Sequence, residues 1–334
     1  MHKVLYRADA NPTIGTGDLI SLIELSRKFP SDWQHHFCCR KTEAALKILG
    51  SRNISRIHWL NDEDGHDGEK ERLRRIIQKY QVDALVIEIT GQSSKLYENI
   101  GQKVFKVCVN FCREFPEDFN LILDWSVEAP TWYPVSQYPT VEFLLGPQHV
   151  ILPMSFEGHF TNRSAPSEDV QKILITMGGN DEWNLSISVL DSLEALQYKG
   201  IIRLILGAGY QHHGELKKII QKTRLNVSVE ENLPTLEMAY IWADLALATG
   251  GLTVSELVAT KTPCLITAAY PHEESRCEYF HRKKWIGYTG LRKIPTDSIE
   301  KALIDKPPTS EIFPFHSPLT SKIVQAVISM SRAH

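Results

Sequence analysis

The chain has 334 residues, 43% hydrophobic and 23% charged, with a formal net charge of -3. That length accommodates two domains of ordinary size, and the balance of charge excludes the bulk basic character that holds nucleic acid or an anionic membrane. No apolar run is long enough to span a bilayer, so stable membrane insertion is not expected.

The N-terminal MHKVLYRAD enters a strand directly, over residues 1–6, without the charged region, apolar core and cleavage site of a leader. A cytoplasmic protein is expected. Arg7, Asp9, Gly15, Gly17 and Asp18 follow, then a helix with Leu19, Leu22, Ile23 and Leu25 at helical spacing. Gly15 and Gly17 permit a tight turn. Asp18 stands where a helix cap belongs; its other reading is a carboxylate presented at a loop, able to act as a base.

A second strand is expected over 35–39, where His35 and His36 point to opposite faces and make no metal pair. A helix over 42–49 and a strand over 57–60 follow. Residues 61–68 read as a solvated loop, because Asp62, Asp64, His66 and Asp67 lack the spacing of a calcium-binding loop. A helix over 69–80, strands over 84–89, 104–109 and 120–123, and a proline-broken stretch over 129–139 complete the first half. LLGPQHVILP reads as the passage between domains, placing them at 1–150 and 151–334, with the last helix able to pack back on the first.

The second half restarts with a strand over 172–177 that runs into Gly178, Gly179, Asn180, Asp181 and Asn184 and a helix to 196. A strand over 201–206, a Gly207/Gly209 turn, a helix from 215, a strand over 226–229 and a short helix over 236–242 come next. Then ADLALATGGLTVSELVATKTP sets a buried strand before Gly250 and Gly251, and a helix with Val254, Leu257 and Val258 on one face. Thr253 lies near the helix start, where free N–H groups hold anions, and Glu256 falls one turn in. This is either an ordinary corner of an α/β sheet or a cradle for a nucleotide diphosphate whose carboxylate takes sugar hydroxyls. A strand over 264–267 leads to His272 and Glu273 at a helix start. The helix dipole favours an acid there, and the pair can also contact a sugar. A closing helix is expected over 317–330.

The alternation of strand and helix in both halves argues for an α/β protein with two doubly wound parallel sheets and a ligand at the carboxyl ends of the strands. None of the Gly turns has the full GxGxxG pattern with a following acid, and GxxxxGK[ST] is absent, so neither a nicotinamide cofactor nor a P-loop is indicated. Cys38, Cys39, Cys108, Cys112, Cys264 and Cys277 show no zinc-like pairing and read as reduced structural thiols. No metal and no cofactor is expected.

Four stretches, in order, resemble one family. RADANPTIGTGD resembles the N-terminal signature of the UDP-sugar hydrolase of the pseudaminic acid pathway and its spore-coat polysaccharide relatives. LLGPQHVILPMSF resembles that family's interdomain segment, and ILITMGGNDEWNLS its GG-x-D…N loop. ADLALATGGLTVSELVATKTPCLI resembles the nucleotide-binding segment shared with the peptidoglycan N-acetylglucosaminyltransferase. The resemblance covers nearly the whole chain. It implies a GT-B fold, two Rossmann-like domains facing across a cleft with a UDP-sugar between them. It further implies that Gly250, Gly251 and Thr253 line the diphosphate and Glu256 the ribose. Gly178, Gly179, Asn180, Asp181 and Asn184 would approach from the opposite loop, and Gly15 and Gly17 from the N-terminal domain, where Arg7 and Asp9 belong to the signature.

The departures cluster on the sugar side. The family has a histidine, its expected catalytic base, where this chain has Asp18. Its acidic residue followed by His-Tyr-Gly appears as Glu88-Ile89-Thr90-Gly91, and its Asn-Gln pair as His272-Glu273. The expected function is UDP-sugar-dependent cleavage of a sugar C1–O bond in bacterial surface polysaccharide or nonulosonic acid synthesis, with Asp18 as base and water or a sugar acceptor as second partner. A UDP-sugar hydrolase and a catalytically degenerate nucleotide-sugar-binding protein are the alternatives.

Overall fold

The structure is a computed structural model. It describes residues 1–11, 16–61, 65–88, 94–101, 103–110, 118–156, 169–207, 209–231, 233, 235–309 and 319–332. The chain divides into two compact units, one of Met1–Met154 with Phe315–His334, the other of Ser155–Pro314.

The first unit carries β1 (Lys3–Arg7), α1 (Gly17–Ser26), β2 (Gln34–Arg40), α2 (Glu43–Ser51), β3 (Ile57–Leu60), α3 (Gly65–Tyr80), β4 (Ala84–Ile87), β5 (Phe105–Val109), β6 (Leu121–Asp124), the single turn α4 (Ala129–Trp132) and β7 (Glu142–Leu145). The second carries β8 (Lys172–Thr176), α5 (Leu185–Ala195), β9 (Ile201–Leu206), α6 (His213–Lys222), β10 (Asn226–Glu231), α7 (Glu237–Trp242), β11 (Leu245–Thr249), α8 (Leu252–Ala259), β12 (Cys264–Ala268), α9 (Pro271–Arg282), β13 (Gly287–Leu291) and α10 (Thr296–Ile304). The last helix, α11 (Leu319–Arg332), belongs to the first unit and packs on β5.

Both sheets are parallel throughout. The first has seven strands in the order β3-β2-β1-β4-β5-β6-β7, the second six in the order β10-β9-β8-β11-β12-β13. Parallel sheets bury both faces, and the central strands β1, β4, β8, β11 and β12 are buried at nearly every position. In the first unit Leu5, Leu85, Ile87, Cys108 and Ile122 pack with Leu73, Ile76 and Ile77 of α3, while the alternate residues Val4, Tyr6, Val86, Val107 and Leu121 point to the other face and are also buried. In the second, Ile173, Ile175, Leu204, Leu245 and Leu247 pack with Val189, Leu190 and Leu193 of α5 and Ile299 of α10.

Each sheet reverses its winding once. From β1 the chain steps outward to β2 and β3, then returns to β4 on the other side; from β8 it steps to β9 and β10, then returns to β11. The loops after β1 and β4, and those after β8 and β11, therefore part in opposite directions and leave a crevice at the carboxyl ends of the strands.

Several boundaries differ from the sequence expectation. α3 begins at Gly65, so the 61–68 loop is shorter than its polarity suggests; Asp62 and Asp64 lie outside the described residues. The strand Gly287–Leu291 and the helix Thr296–Ile304 are additional elements. Cys38, Cys39, Cys264 and Cys277 are free and buried. Cys108 departs from the expected reduced thiol: it is disulfide-bonded. No helix is long and apolar enough to cross a membrane, and no group of three metal-ligating side chains occurs, among the described residues.

Candidate functional site

The second unit's crevice is built from the loops after β8 and β11. Gly178 adopts a φ of +78°, a conformation L side chains rarely take, and a Cβ there would sit 3.3 Å from Thr249 Oγ1. The loop after β9 packs backbone to backbone against this turn: Gly209 N–H donates to Gly179 O at 2.9 Å, and a Cβ on Gly207 would lie 2.5 Å from Gly178 O. Asn180 is exposed, with its side chain on Gly209.

After β11, Gly250 is buried against α9. A Cβ there would collide with Cys277 Sγ and approach Glu273 Cβ at 3.2 Å. Gly251 is the N-cap of α8 and offers no side chain, so the first N–H groups of the helix, those of Leu252 and Thr253 among them, are left to whatever enters the crevice. Thr253 is the second residue of the helix. Glu256 lies one turn in, where its Oε2 accepts from Tyr240 Oη at 2.8 Å. Burial, then Glu256, pushes the Tyr240 phenol well above its ordinary range, so it stays protonated and holds the Glu256 carboxylate in place. On α9, Arg276 Nη1 donates to Gly251 O at 3.2 Å, which sets a guanidinium beside the turn. An exposed helix N-terminus, a cation and a fixed carboxylate together suit a ligand with phosphates and neighbouring hydroxyls.

Gly250→Ala is expected to destabilise the protein by about 1–3 kcal/mol, because the added methyl overpacks a closed corner, and to weaken binding at the turn. Gly179→Ala, where a Cβ meets nothing within 4 Å, is the matched control. Denaturant midpoints of the two variants check this.

Three residues expected at this site serve the frame instead. Asp181 is buried, and its two carboxylate oxygens accept from Leu185 N (2.7 Å) and Ser186 N (3.0 Å), capping α5. Asn184 donates to Glu215 Oε2 at 2.8 Å and accepts from Tyr210 Oη at 3.3 Å. Glu273 accepts from Ala269 N (2.7 Å) and Tyr270 N (3.4 Å), closing the first turn of α9. His272 is exposed and its ring stacks on Tyr270, whose hydroxyl donates to Glu182 at 2.9 Å.

The first unit's crevice holds acidic groups. Gly15 lies outside the described residues. Gly17 opens α1, and a Cβ there meets nothing within 4 Å, so no steric demand for glycine acts at this position. Asp18 sits in the first turn of α1, 8% exposed; Thr16, not Asp18, occupies the N-cap. Arg7 and Asp9 are corrected as substrate groups. Arg7 is fully buried, donating from Nε to Glu69 Oε1 (2.7 Å) and from Nη2 to Asp9 Oδ2 (2.8 Å). Its Nη1 lies 2.6 Å from Asp9 Oδ1 without hydrogen-bond alignment. Asp9 also accepts from Arg40 N (2.7 Å), and Glu69 from Arg40 Nη2 (2.9 Å) and Tyr97 Oη (2.7 Å). Burial opposes the Arg7 charge, but Asp9 and Glu69 outweigh it and hold the guanidinium protonated. The network is a strut under the crevice.

Glu88, Asn110 and Asp124, at the ends of β4, β5 and β6, complete this corner. Asn110 Nδ2 donates to Glu88 Oε1 at 2.7 Å, and Asp124 accepts from Ser126 N (2.8 Å) and Tyr133 Oη (2.9 Å). Sequence reasoning singled out neither Asn110 nor Asp124, nor Tyr240 and Arg276 in the other unit. Asn110 and Asp124 are marked only by their place at the carboxyl ends of β5 and β6, and Tyr240 and Arg276 read locally as parts of the helices α7 and α9.

No protein-family profile matches the sequence. The chain is distantly similar to the spore coat polysaccharide biosynthesis protein SpsG of Bacillus subtilis, 25% identical over 140 residues, which is 40% of this chain and 40% of that protein's length. Among solved structures it superposes on MurG from Acinetobacter baumannii with a TM-score of 0.65 at 13% identity, covering 98% of this chain and 100% of that one. The fold is GT-B. The UDP-GlcNAc 2-epimerase of Neisseria meningitidis, solved bound to UDP-GlcNAc, shares this GT-B fold with a TM-score of 0.56 at 11% identity, covering 98% and 100% of the two chains. At these identities the likeness is one of fold.

Proposed function

We propose that this GT-B protein is a UDP-sugar-dependent enzyme of the glycosyltransferase type that cleaves the C1–O bond of its sugar donor, in bacterial surface polysaccharide or nonulosonic acid synthesis. The observation that carries this reading is the second unit's corner: an uncapped helix N-terminus at Gly251, Arg276 beside it, and Glu256 fixed by Tyr240. The free N–H groups and the guanidinium suit a diphosphate, including the charge that develops on departing UDP. Glu256 suits a pair of ribose hydroxyls. Gly178, Gly179, Asn180, Gly250 and Thr253 form the rest of the nucleotide site in this reading.

Asp18 is the candidate base, removing a proton from water or from an acceptor hydroxyl as the C1–O bond breaks. With water the enzyme is a UDP-sugar hydrolase; with a sugar hydroxyl it is a transferase. The departures at Asp18, at Ile89-Thr90 after Glu88 and at His272-Glu273, set against the retained nucleotide corner, favour transfer to an acceptor. The second reading, a nucleotide-sugar-binding protein without turnover, draws on the same Asp18.

Calorimetric titration with UDP tests the nucleotide site. Wild type binds, and Glu256→Ala binds about 10–100-fold more weakly, the loss of hydrogen bonds to a charged group. Wild type that fails to bind UDP sinks the reading. NMR of the UDP released from a panel of UDP-sugars, with and without added acceptor, then separates hydrolase from transferase from binding protein.

A further inference from the structure

The first unit's crevice contains a buried carboxyl whose hydrogen bonding fixes where its proton resides. Trp125 N–H donates to Asn110 Oδ1 at 3.3 Å, which orients the amide so that Nδ2 donates to Glu88 Oε1 at 2.7 Å. Glu88 Oε1 is therefore an acceptor. Glu88 Oε2 is buried and has no hydrogen-bond partner, with the whole residue 2% exposed. An ionised oxygen in that position would be desolvated and unpaired, a costly state. A protonated one leaves only a weakly demanding hydroxyl.

The neighbours push the same way. Among the described residues, Asp18 of α1 and Asp124 at the end of β6 are the charged groups that act on Glu88. Asp124 accepts from the Ser126 N–H and the Tyr133 hydroxyl. Asp18 stands in the first turn of a helix, where the dipole favours negative charge. Arg7 and Arg40, which carry the cations of this corner, are engaged by Asp9 and Glu69. Glu88 has burial, two like charges and an orphaned oxygen against ionising, and one amide hydrogen bond in favour.

We propose that Glu88 and Asp18 form a carboxyl pair that holds one proton: Glu88 keeps it on Oε2, and Asp18 carries the charge. Glu88 is a positioning residue in this arrangement. Its neutrality lets Asp18 stay ionised, and so able to take a proton, in a corner that cannot hold a further anion. Burial first, then Asp18, raises the Glu88 pKa well above the ordinary carboxylate range, consistent with this division.

The consequence for stability has a definite sign. A carboxyl whose folded pKa is raised contributes stability that is fully present below its unfolded pKa, about 4.3, and is lost as pH rises through the folded value. Glu88→Gln mimics the protonated form, since its Oε1 still accepts from Asn110. The variant should therefore lack the wild-type loss of stability over that window.

Side-chain carboxyl NMR titration, with thermal unfolding followed from pH 4 to 9, tests the pair. Expected are a Glu88 carboxyl titrating clearly above the ordinary range, a downward move of that titration in Asp18→Asn, and a flatter stability profile in Glu88→Gln. A Glu88 that titrates in the ordinary range, or that does not respond to Asp18→Asn, overturns the proposal. The activity arm rests on the function proposed above: UDP release by wild type falls as pH passes the Glu88 titration, and the Glu88→Gln profile lacks that fall. If the protein proves to have no turnover, the titration arm still decides the pair.

Discussion

Asp18→Asn is expected to reduce UDP release by about 10²–10⁴-fold, the usual contribution of a positioned general base, while UDP affinity measured by calorimetry stays at the wild-type value. The separation follows from where the groups lie. Asp18 is in the first turn of α1 in the first unit, and the candidate phosphate and ribose contacts are all on the second. Asn is close in size and removes the negative charge and with it the capacity to accept a proton. Equal turnover in variant and wild type would remove Asp18 from the chemistry. Wild-type turnover that cannot be detected, with UDP still bound, would establish the binding-protein reading.

Arg7→Met is expected to cost about 3–5 kcal/mol of stability, the penalty for leaving buried charges without their partner. Arg7 is fully buried between Asp9 and Glu69. Met fills much of the same space but leaves two nearly buried carboxylates facing each other, with Arg40 as the remaining cation in contact with both. A loss of that size is readable as a fall in the urea midpoint without a change in its slope. If Arg7 instead met a ligand, stability would hold and the substrate KM would rise.

The architecture was legible because parallel strands buried on both faces leave short, nearly continuous apolar runs, and each Gly turn marks where one of them ends. The strand Gly287–Leu291 escaped notice because it carries two glycines and every one of its residues is half-buried. The start of α3 was obscured by Gly65 and Gly68, residues that favour loops but here lie in the helix. The turn at Gly250 was legible in the sequence, but the groups that leave no room for a side chain there, Cys277 and Glu273 of α9, were not, because they lie more than 20 residues along the chain. Arg7 and Asp9 misled because a polar residue just past a strand looks presented to solvent or ligand. The group that engages Arg7 is Glu69, 62 residues away, and no local pattern reveals such a partner. Asp181 and Glu273 misled differently. Each lies in a Gly-rich neighbourhood that suggests ligand contact, yet each spends its oxygens on the first turn of its own helix.

The return of α11 to the first unit makes the second unit, topologically, an insertion. Leu319, Ile323 and Val327 recur every four residues and are almost completely buried, and Lys322 pairs with Glu142 of β7. The tether between Met154 and this helix is the whole of Ser155–Pro314. Should it unfold, the same segment becomes a long flexible loop, and the entropy of closing that loop falls on the first unit. The stabilities of the two units are thereby linked through the chain itself, so a substitution that melts the second unit also loosens a helix that packs on the first unit's sheet.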